Sequence, residues 1–160
     1  MPTLPQLLEE DIQSLDGALL ELLIQSDAAT ALVIDKGGFL ITKQGAGEKL
    51  DVTTLAALAA AAFSATETIA NLVNEPNFSS IYQQGDQHSM LVVNVDQYSL
   101  LVVVFRSHVS VGAVKYFSRT AIEKIARQMQ IAHGRDPDGG IDLSMLNIAE
   151  TAPLFRRRAV

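Results

Sequence analysis

Three histidines are the side chains best suited to proton transfer or metal binding at neutral pH: His88, His108 and His133. A zinc site or an acid-base pair needs such residues at a defined short spacing, as in the H-E-x-x-H motif. These three fall at a predicted strand start, in a loop and at a helix end, without that motif. The sequence also contains no cysteine, which excludes thiol nucleophiles and disulfides. We interpret the histidines as surface or boundary residues.

Two glycine-containing segments have the residue types of phosphate or calcium loops. Residues 44–49 read QGAGEK, but Gly47 is followed by Glu48, so the G-x-x-x-x-G-K-[ST] pattern is not met. Residues 136–142 read DPDGGID, and Asn147 stands where a calcium loop requires its twelfth-position glutamate. We therefore predict no catalytic residues, no metal and no cofactor.

The charge distribution restricts the classes of partner. The net charge is −6, with 3 basic against 11 acidic residues in positions 1–75, and 9 against 7 in positions 76–160. Such an acidic chain is a poor ligand for nucleic acid or for an anionic membrane surface. The N-terminus, MPTLPQLLEEDIQ, is acidic and lacks the apolar run of an export signal. We predict a cytoplasmic protein that binds no nucleic acid.

Apolar residues recur at three- and four-residue steps near both ends of the predicted domain, between residues 4 and 23 and between residues 111 and 133. Each pattern predicts an amphipathic helix. The first helix is acidic, and Thr3 and Gln6 fit a capping box at its start. The second is basic, and Gly134 is placed to end it.

Two hairpins and one isolated strand are predicted between these helices. TALVID and GFLITKQ are joined by a glycine-containing turn at Asp35, whose carboxylate we expect to bind the turn's own backbone. SMLVVNV and SLLVVVF are joined by a turn at residues 96–98, and residues 78–84, FSSIYQQ, form the remaining strand. The strands of this second hairpin are apolar on consecutive residues, which is typical of a sheet covered on both faces.

An alanine-rich helix is predicted between the two hairpins. Its longest uninterrupted apolar run, LAALAAAAF, is nine residues, whereas a membrane span needs about 20, so we predict no membrane insertion. Helical spacing separates its residues into two rows. The large row is predicted to pack on the sheet, and consists of Leu55, Leu58, Ala62, Ala65, Ile69 and Leu72. The small row is predicted to admit a second helix, and consists of Ala57, Ala61, Ser64 and Thr68.

That small row has two interpretations. The sequence favours a helix of a second subunit, because the sheet already requires the two other helices to cover it. The alternative is a central helix of a single-chain core, or simply a stable alanine-rich helix.

The order helix, two strands, helix, three strands, helix predicts an α+β fold. We expect a five-stranded, mostly antiparallel sheet in an α/β/α sandwich, formed by residues 1–134. Residues 135–160 have the composition of a linker followed by a short amphipathic segment and three arginines. Two interpretations of this tail stay open: a disordered segment, or a short amphipathic helix that docks a partner through Leu143, Met145, Leu146, Ile148, Phe155, Arg156, Arg157 and Arg158.

Four segments in this order resemble the Roadblock/LC7 family: LVIDKGGFLI, the small-residue helix, MLVVNVDQYSLLVVVF and VGAVKYFSRTAIEKIARQM. The resemblance covers about residues 5–133, and the chain length and the tail are similar to those of the bacterial MglB-like branch. The resemblance implies a non-enzymatic dimer in which the central helices pack together and the third strands join two sheets. It thereby adds Ser79, Ser80, Ile81, Tyr82 and Gln83 to the predicted interface.

The resemblance also implies a function. Members bind small Ras-like GTPases or act as scaffolds, and the MglB-like members accelerate GTP hydrolysis by an MglA-like GTPase. Two alternatives stay open. One is a small-molecule-sensing or general interaction module of the same fold, in which Asn94, the polar residue in MLVVNV, could line a pocket. The other is an enzyme using His88 and His108, which the sequence favours least.

Overall fold

A computed structural model describes residues 4–45 and 49–135 of the chain. Its elements follow the predicted order, and the strand at residues 78–84 is shorter than predicted. They are α1 (Glu9–Ser26), β1 (Thr30–Asp35), β2 (Leu40–Gly45), α2 (Val52–Leu72), β3 (Ser80–Gln83), β4 (His88–Asn94), β5 (Ser99–Arg106) and α3 (Val111–Arg135).

The five strands form one sheet in the order β2-β1-β5-β4-β3, and each neighbouring pair is antiparallel. The two hairpins are joined through β1 and β5, which are therefore the central strands. This arrangement leaves β2 and β3 at the two edges. The predicted fold is confirmed.

Both faces of the sheet are covered, as the consecutive apolar residues predict. On β1, Ala31 and Val33 face a core formed with α1 and α3, whereas Leu32 and Ile34 face a second core formed with α2. This alternation follows from the two-residue period of a strand. Since both sets are fully buried, both kinds of position had to be apolar.

The two hairpin turns are fixed by carboxylates and by each other. The Phe39 amide donates to Asp35 Oδ1 at 2.7 Å, which confirms the predicted role of that carboxylate. The amides of Tyr98 and Ser99 donate to Asp96 Oδ1, each at 2.8 Å. The Lys36 amide donates to the Tyr98 carbonyl at 2.8 Å, so the two turns lie side by side.

The first helix begins at Glu9, so the capping box predicted at Thr3 and Gln6 is wrong. The cap is formed one turn later, where the Leu8 amide donates to Asp11 Oδ2 at 2.7 Å. A carboxylate at this position satisfies an amide that has no partner within the helix and interacts favourably with the helix dipole.

The same carboxylate connects the start of α1 to the end of α3. Arg135 donates two hydrogen bonds to Asp11, at 2.7 and 2.6 Å, and Gln128 donates a third at 2.6 Å. The Arg135 hydrogen bonds hold the pKa of the buried Asp11 well below its usual range, although burial acts in the opposite direction. Gly134 does not end α3 as predicted, because the helix includes Arg135, which forms an ion pair with Asp11 of α1.

Gly45 is required by the backbone where β2 pairs with β1. Its φ is 118°, and a Cβ there would clash with the Ala29 carbonyl and lie 2.8 Å from Thr30 Cα. We expect Gly45→Ala to lower the free energy of unfolding by about 2 kcal/mol, measured by urea denaturation.

The matched control is Gly134→Ala, because a Cβ at this helical position meets nothing within 4 Å. That variant should be unchanged or more stable by up to about 1 kcal/mol. Equal stability of the two alanine variants would contradict the close approach of the backbone at Gly45.

Candidate self-association surface

The α2 helix lies close to the sheet because its inward residues are mostly small. They are Val52, Ala56, Ala59, Ala60, Phe63 and Ala70, and all but Ala70 belong to one core with the large side chains of β1 and β5. The helix begins at Val52 and is capped by Asp51, whose carboxylate accepts a hydrogen bond from the Thr54 amide at 3.1 Å. It also abuts the first hairpin turn, since a Cβ on Gly38 would lie 3.1 Å from Ala57 Cα.

The prediction that the large row packs on the sheet is wrong for most of its residues, although Leu55 does pack against the core beneath α2. Leu58, Ile69 and Leu72 are 64%, 48% and 78% exposed, and Ala65 is exposed as well. Leu55 and Ala62 are half-buried. The sheet supplies the bulky residues of this core, which leaves little volume beneath α2. Alanines therefore face the sheet, where they allow the helix to approach it closely, and the leucines face outward.

The small row is exposed throughout, at Ala57, Ala61, Ser64 and Thr68. Together with Leu58, Ala65, Ile69 and Leu72 it forms a continuous, mainly apolar area, which we call the outer surface of α2. Glu67 is the only charged residue of the helix. Exposed apolar areas of this kind mark interaction sites, because leaving them in water is unfavourable.

Among the described residues, α2 is the one helix long and apolar enough to cross a membrane by length and composition. Only 28% of its most apolar window is buried in the protomer, which matches one face on the sheet and one face uncovered. Helices that pack in the core of soluble proteins satisfy the same criterion. The sheet contacts through Ala59 and Phe63 assign α2 to the folded domain.

The predicted strand residues lie on the free edge of the sheet. Ser79, Tyr82 and Gln83 are exposed, while Ser80 and Ile81 are half-buried. On one side β3 pairs with β4, where the Asn94 amide donates to the Ser79 carbonyl at 2.9 Å. Antiparallel alternation therefore directs the backbone groups of Ser80 and Tyr82 away from β4. Such an unpaired edge can accept a further strand.

The structure places the two rows of α2 on different flanks. Leu55 lines a groove with Met90 of β4 and Gln83 of β3, so the large row is the one nearer the free edge. Ala57 lies on the other flank, against the β1-β2 turn. Sequence reasoning therefore missed Leu58, Ile69 and Leu72 as surface residues. The signal that could have identified them is the spacing of Ala56, Ala59, Ala60 and Phe63, which marks the inward face.

The other candidate residues do not assemble into a site. His88 pairs with Arg106 across the sheet, and the ring of His133 packs on that of Tyr98 at 4.4 Å. Within residues 4–45 and 49–135, no group of three or more His, Cys, Asp or Glu side chains could hold a metal. The predicted docking residues lie outside the described part of the chain, namely Leu143, Met145, Leu146, Ile148, Phe155, Arg156, Arg157 and Arg158.

Comparison with known proteins is consistent with this architecture. The Roadblock/LC7 domain model matches residues 15–105. A solved structure described as MglB with tetrameric arrangement superposes with a TM-score of 0.77, at 29% identity, over 82% of this chain and 99% of that chain.

Two further matches come from named organisms. The gliding protein MglB of Thermus thermophilus has a TM-score of 0.75 at 28% identity, covering 82% of this chain and 99% of its own. Myxococcus xanthus MglB has a TM-score of 0.74 at 25% identity, covering 79% and 96%.

An uncharacterized protein of Methanocaldococcus jannaschii is 29% identical over 69% of this chain and 96% of its own length. The domain model spans more than half of the chain, from the middle of α1 to the end of β5. The chain belongs to the Roadblock/LC7 family.

Proposed function

We propose that the protein is a non-catalytic, self-associating regulator or scaffold of a small Ras-like GTPase of the MglA type. The observation that carries this proposal is the uncovered apolar outer surface of α2 beside the free edge of β3. A second copy of the chain would cover the outer surface of α2 and pair with the edge of β3 at the same time, because a twofold axis brings α2 against α2 and β3 against β3.

The expected dimer interface contains residues from both rows of α2. The large row contributes Leu58, Ile69 and Leu72, and the small row contributes Ala61, which lies next to the large row on the helix surface. The backbone groups of Ser80 and Tyr82 supply hydrogen bonds for a strand of the partner. The likeness to MglB structures supports this assembly, since one of them is described as a tetrameric arrangement.

The GTPase part of the proposal rests on the Roadblock/LC7 membership and on the MglB likeness. We expect the purified protein to bind a small GTPase of the MglA type, with two chains for each GTPase. Isothermal titration with GDP-loaded and GTP-analogue-loaded GTPase gives affinity and stoichiometry. Phosphate release in the same mixtures separates an activator, which accelerates hydrolysis, from a scaffold, which binds without doing so.

The control for this titration is a monomeric variant of α2, such as Leu58→Arg. It should lose most of the affinity if the GTPase contacts both protomers. Absence of binding in both nucleotide states would contradict the proposed function, whatever the oligomeric state.

A further inference from the structure

A cavity of about 440 Å³ lies at the end of the sheet where the two hairpin turns meet α2. It falls within the range of ligand pockets, which is about 300–1,000 Å³. It is formed within one protomer and is lined by Lys36, Phe63, Glu67, Asn77, Phe78, Ser79, Asn94, Asp96 and Gln97. A neighbouring cavity of about 370 Å³ shares four of these residues, Lys36, Phe63, Glu67 and Gln97, and extends along α2 to Tyr98.

Among the residues that line this cavity, Asn94 has a buried polar atom that no other described residue satisfies. Its side-chain oxygen is buried and has no hydrogen-bond partner among the described residues. The Asn94 backbone is fixed by its bond to Ser79, and the side chain projects to the α2 side of the sheet, as Val92 does. A buried polar group without a partner costs stability, so it is typically retained where something outside the fold binds it.

Three charged side chains line the same cavity without neutralising one another. Lys36, Glu67 and Asp96 form no ion pair within the described residues. The Asp96 carboxylate is oriented by three hydrogen bonds to Oδ1, from the Tyr98 amide, the Ser99 amide and the Ser99 hydroxyl, each at 2.8 Å. The Lys36 backbone is held against the second turn. Lys36 and Asp96 are therefore positioned by the two turns and Glu67 by α2, and all three charges remain available to a ligand.

We propose that this cavity binds a free amino acid or another zwitterion of that size. The ligand's ammonium group is attracted to Glu67 and Asp96, and its carboxylate to Lys36. Its apolar part packs on Phe63 and Phe78, and the Asn94 oxygen accepts one of its hydrogen bonds. Two carboxylates against one lysine disfavour phosphorylated ligands, and three charges disfavour a purely apolar one.

The test is a thermal-shift screen with the twenty standard amino acids at millimolar concentration, confirmed by isothermal titration. We expect at least one amino acid to raise Tm and to bind saturably, because a ligand of the folded state stabilises it by mass action. The corresponding amine without a carboxylate, and acid without an amine, should each bind at least about tenfold more weakly, since each loses one charge-assisted contact.

Two variants and one control locate the site. Glu67→Gln should weaken binding at least about tenfold. Asn94→Leu should abolish binding while leaving the free protein folded, because it removes an unsatisfied oxygen. Glu123→Gln changes an exposed carboxylate on α3, remote from the cavity, and should bind as the unaltered protein does.

Three results would overturn the proposal: no saturable binding by any of the twenty, unchanged binding by Glu67→Gln, or equal binding of the amine alone. The last would indicate an organic cation. Because the cavity belongs to one protomer, ligand binding should persist in a monomeric α2 variant. A negative result for amino-acid binding can therefore be distinguished from a negative result for dimer formation.

Discussion

Replacing Leu58 by arginine is expected to convert the self-associated protein into a monomer. Leu58 is 64% exposed in the protomer and lies on the flank of α2 nearer the free edge of β3. Burying a leucine side chain contributes about 2 kcal/mol. Since a twofold interface contains each residue twice, the variant loses about 4 kcal/mol, or about a thousandfold in Kd. Light scattering coupled to size exclusion, over a dilution series, measures the change.

The matched control is Ile24→Arg, which introduces the same charge at an apolar residue that is 75% exposed on α1, outside the proposed interface. It should leave the mass of the dimer unchanged. A second variant, Ala57→Arg, tests which flank of α2 forms the dimer interface, because Ala57 lies on the opposite flank, toward the β1-β2 turn. A monomeric Ala57→Arg beside a dimeric Leu58→Arg would assign the interface to the small row instead. Wild-type protein that is monomeric at every concentration would refute self-association.

Asp11→Ala is expected to cause a large loss of stability in the layer formed by α1 and α3. The side chain is fully buried, caps α1 and accepts hydrogen bonds from Gln128 and Arg135. Its removal leaves the Gln128 side-chain amide without this acceptor and the Arg135 guanidinium with only the exposed Glu10, for which we expect a loss of about 3 kcal/mol. Urea denaturation followed by circular dichroism measures it.

The pH dependence of the free energy of unfolding tests whether the negative charge of Asp11 is what stabilises the protein. Asp11 titrates near its ordinary value of about 3.9 in the unfolded chain, and below it in the folded protein because of Arg135. Its contribution is therefore full above that value and is lost as the pH falls toward the lowered pKa. The stability difference between wild type and Asp11→Asn should be constant from about pH 5 to 7 and should shrink below about pH 4.

Glu10→Gln is the control for the ion pair. Glu10 lies 3.2 Å from the same guanidinium but is largely exposed, so its loss should cost less than about 1 kcal/mol. If Glu10→Gln and Asp11→Ala were equally destabilising, the buried bidentate contact would not be the important one.

The fold could be predicted from the sequence because its signals are local. Consecutive apolar residues in β1 and β5, two turns with Asp35 and Asp96, and periodic helices specify both the elements and a sheet covered on both faces. The start of α1 was not predicted, because the cap is formed by Asp11, a residue that also binds Arg135 from the other end of the described chain.

The orientation of α2 was the main error concerning the candidate surface. Hydrophobicity ranks Leu58 and Leu72 above Ala56 and Ala60, so the sequence places the leucines inside. The structure reverses them, because the available space under the helix is set by the large side chains of the sheet, such as Leu32 and Leu100. That volume belongs to residues distant in sequence, and helical periodicity alone contains no information about it.

The pairing of Asp11 with Arg135 determines how the domain responds to mechanical load. The described chain enters α1 and leaves α3 at this same end of the helical layer. A pull between the two ends therefore acts first on this ion pair and on the adjoining helical turns, while the hydrogen bonds of the sheet lie outside the path of the force. Tension applied between Leu4 and Arg135 is therefore expected to separate these two helix ends first and to leave α2 and β3 in place.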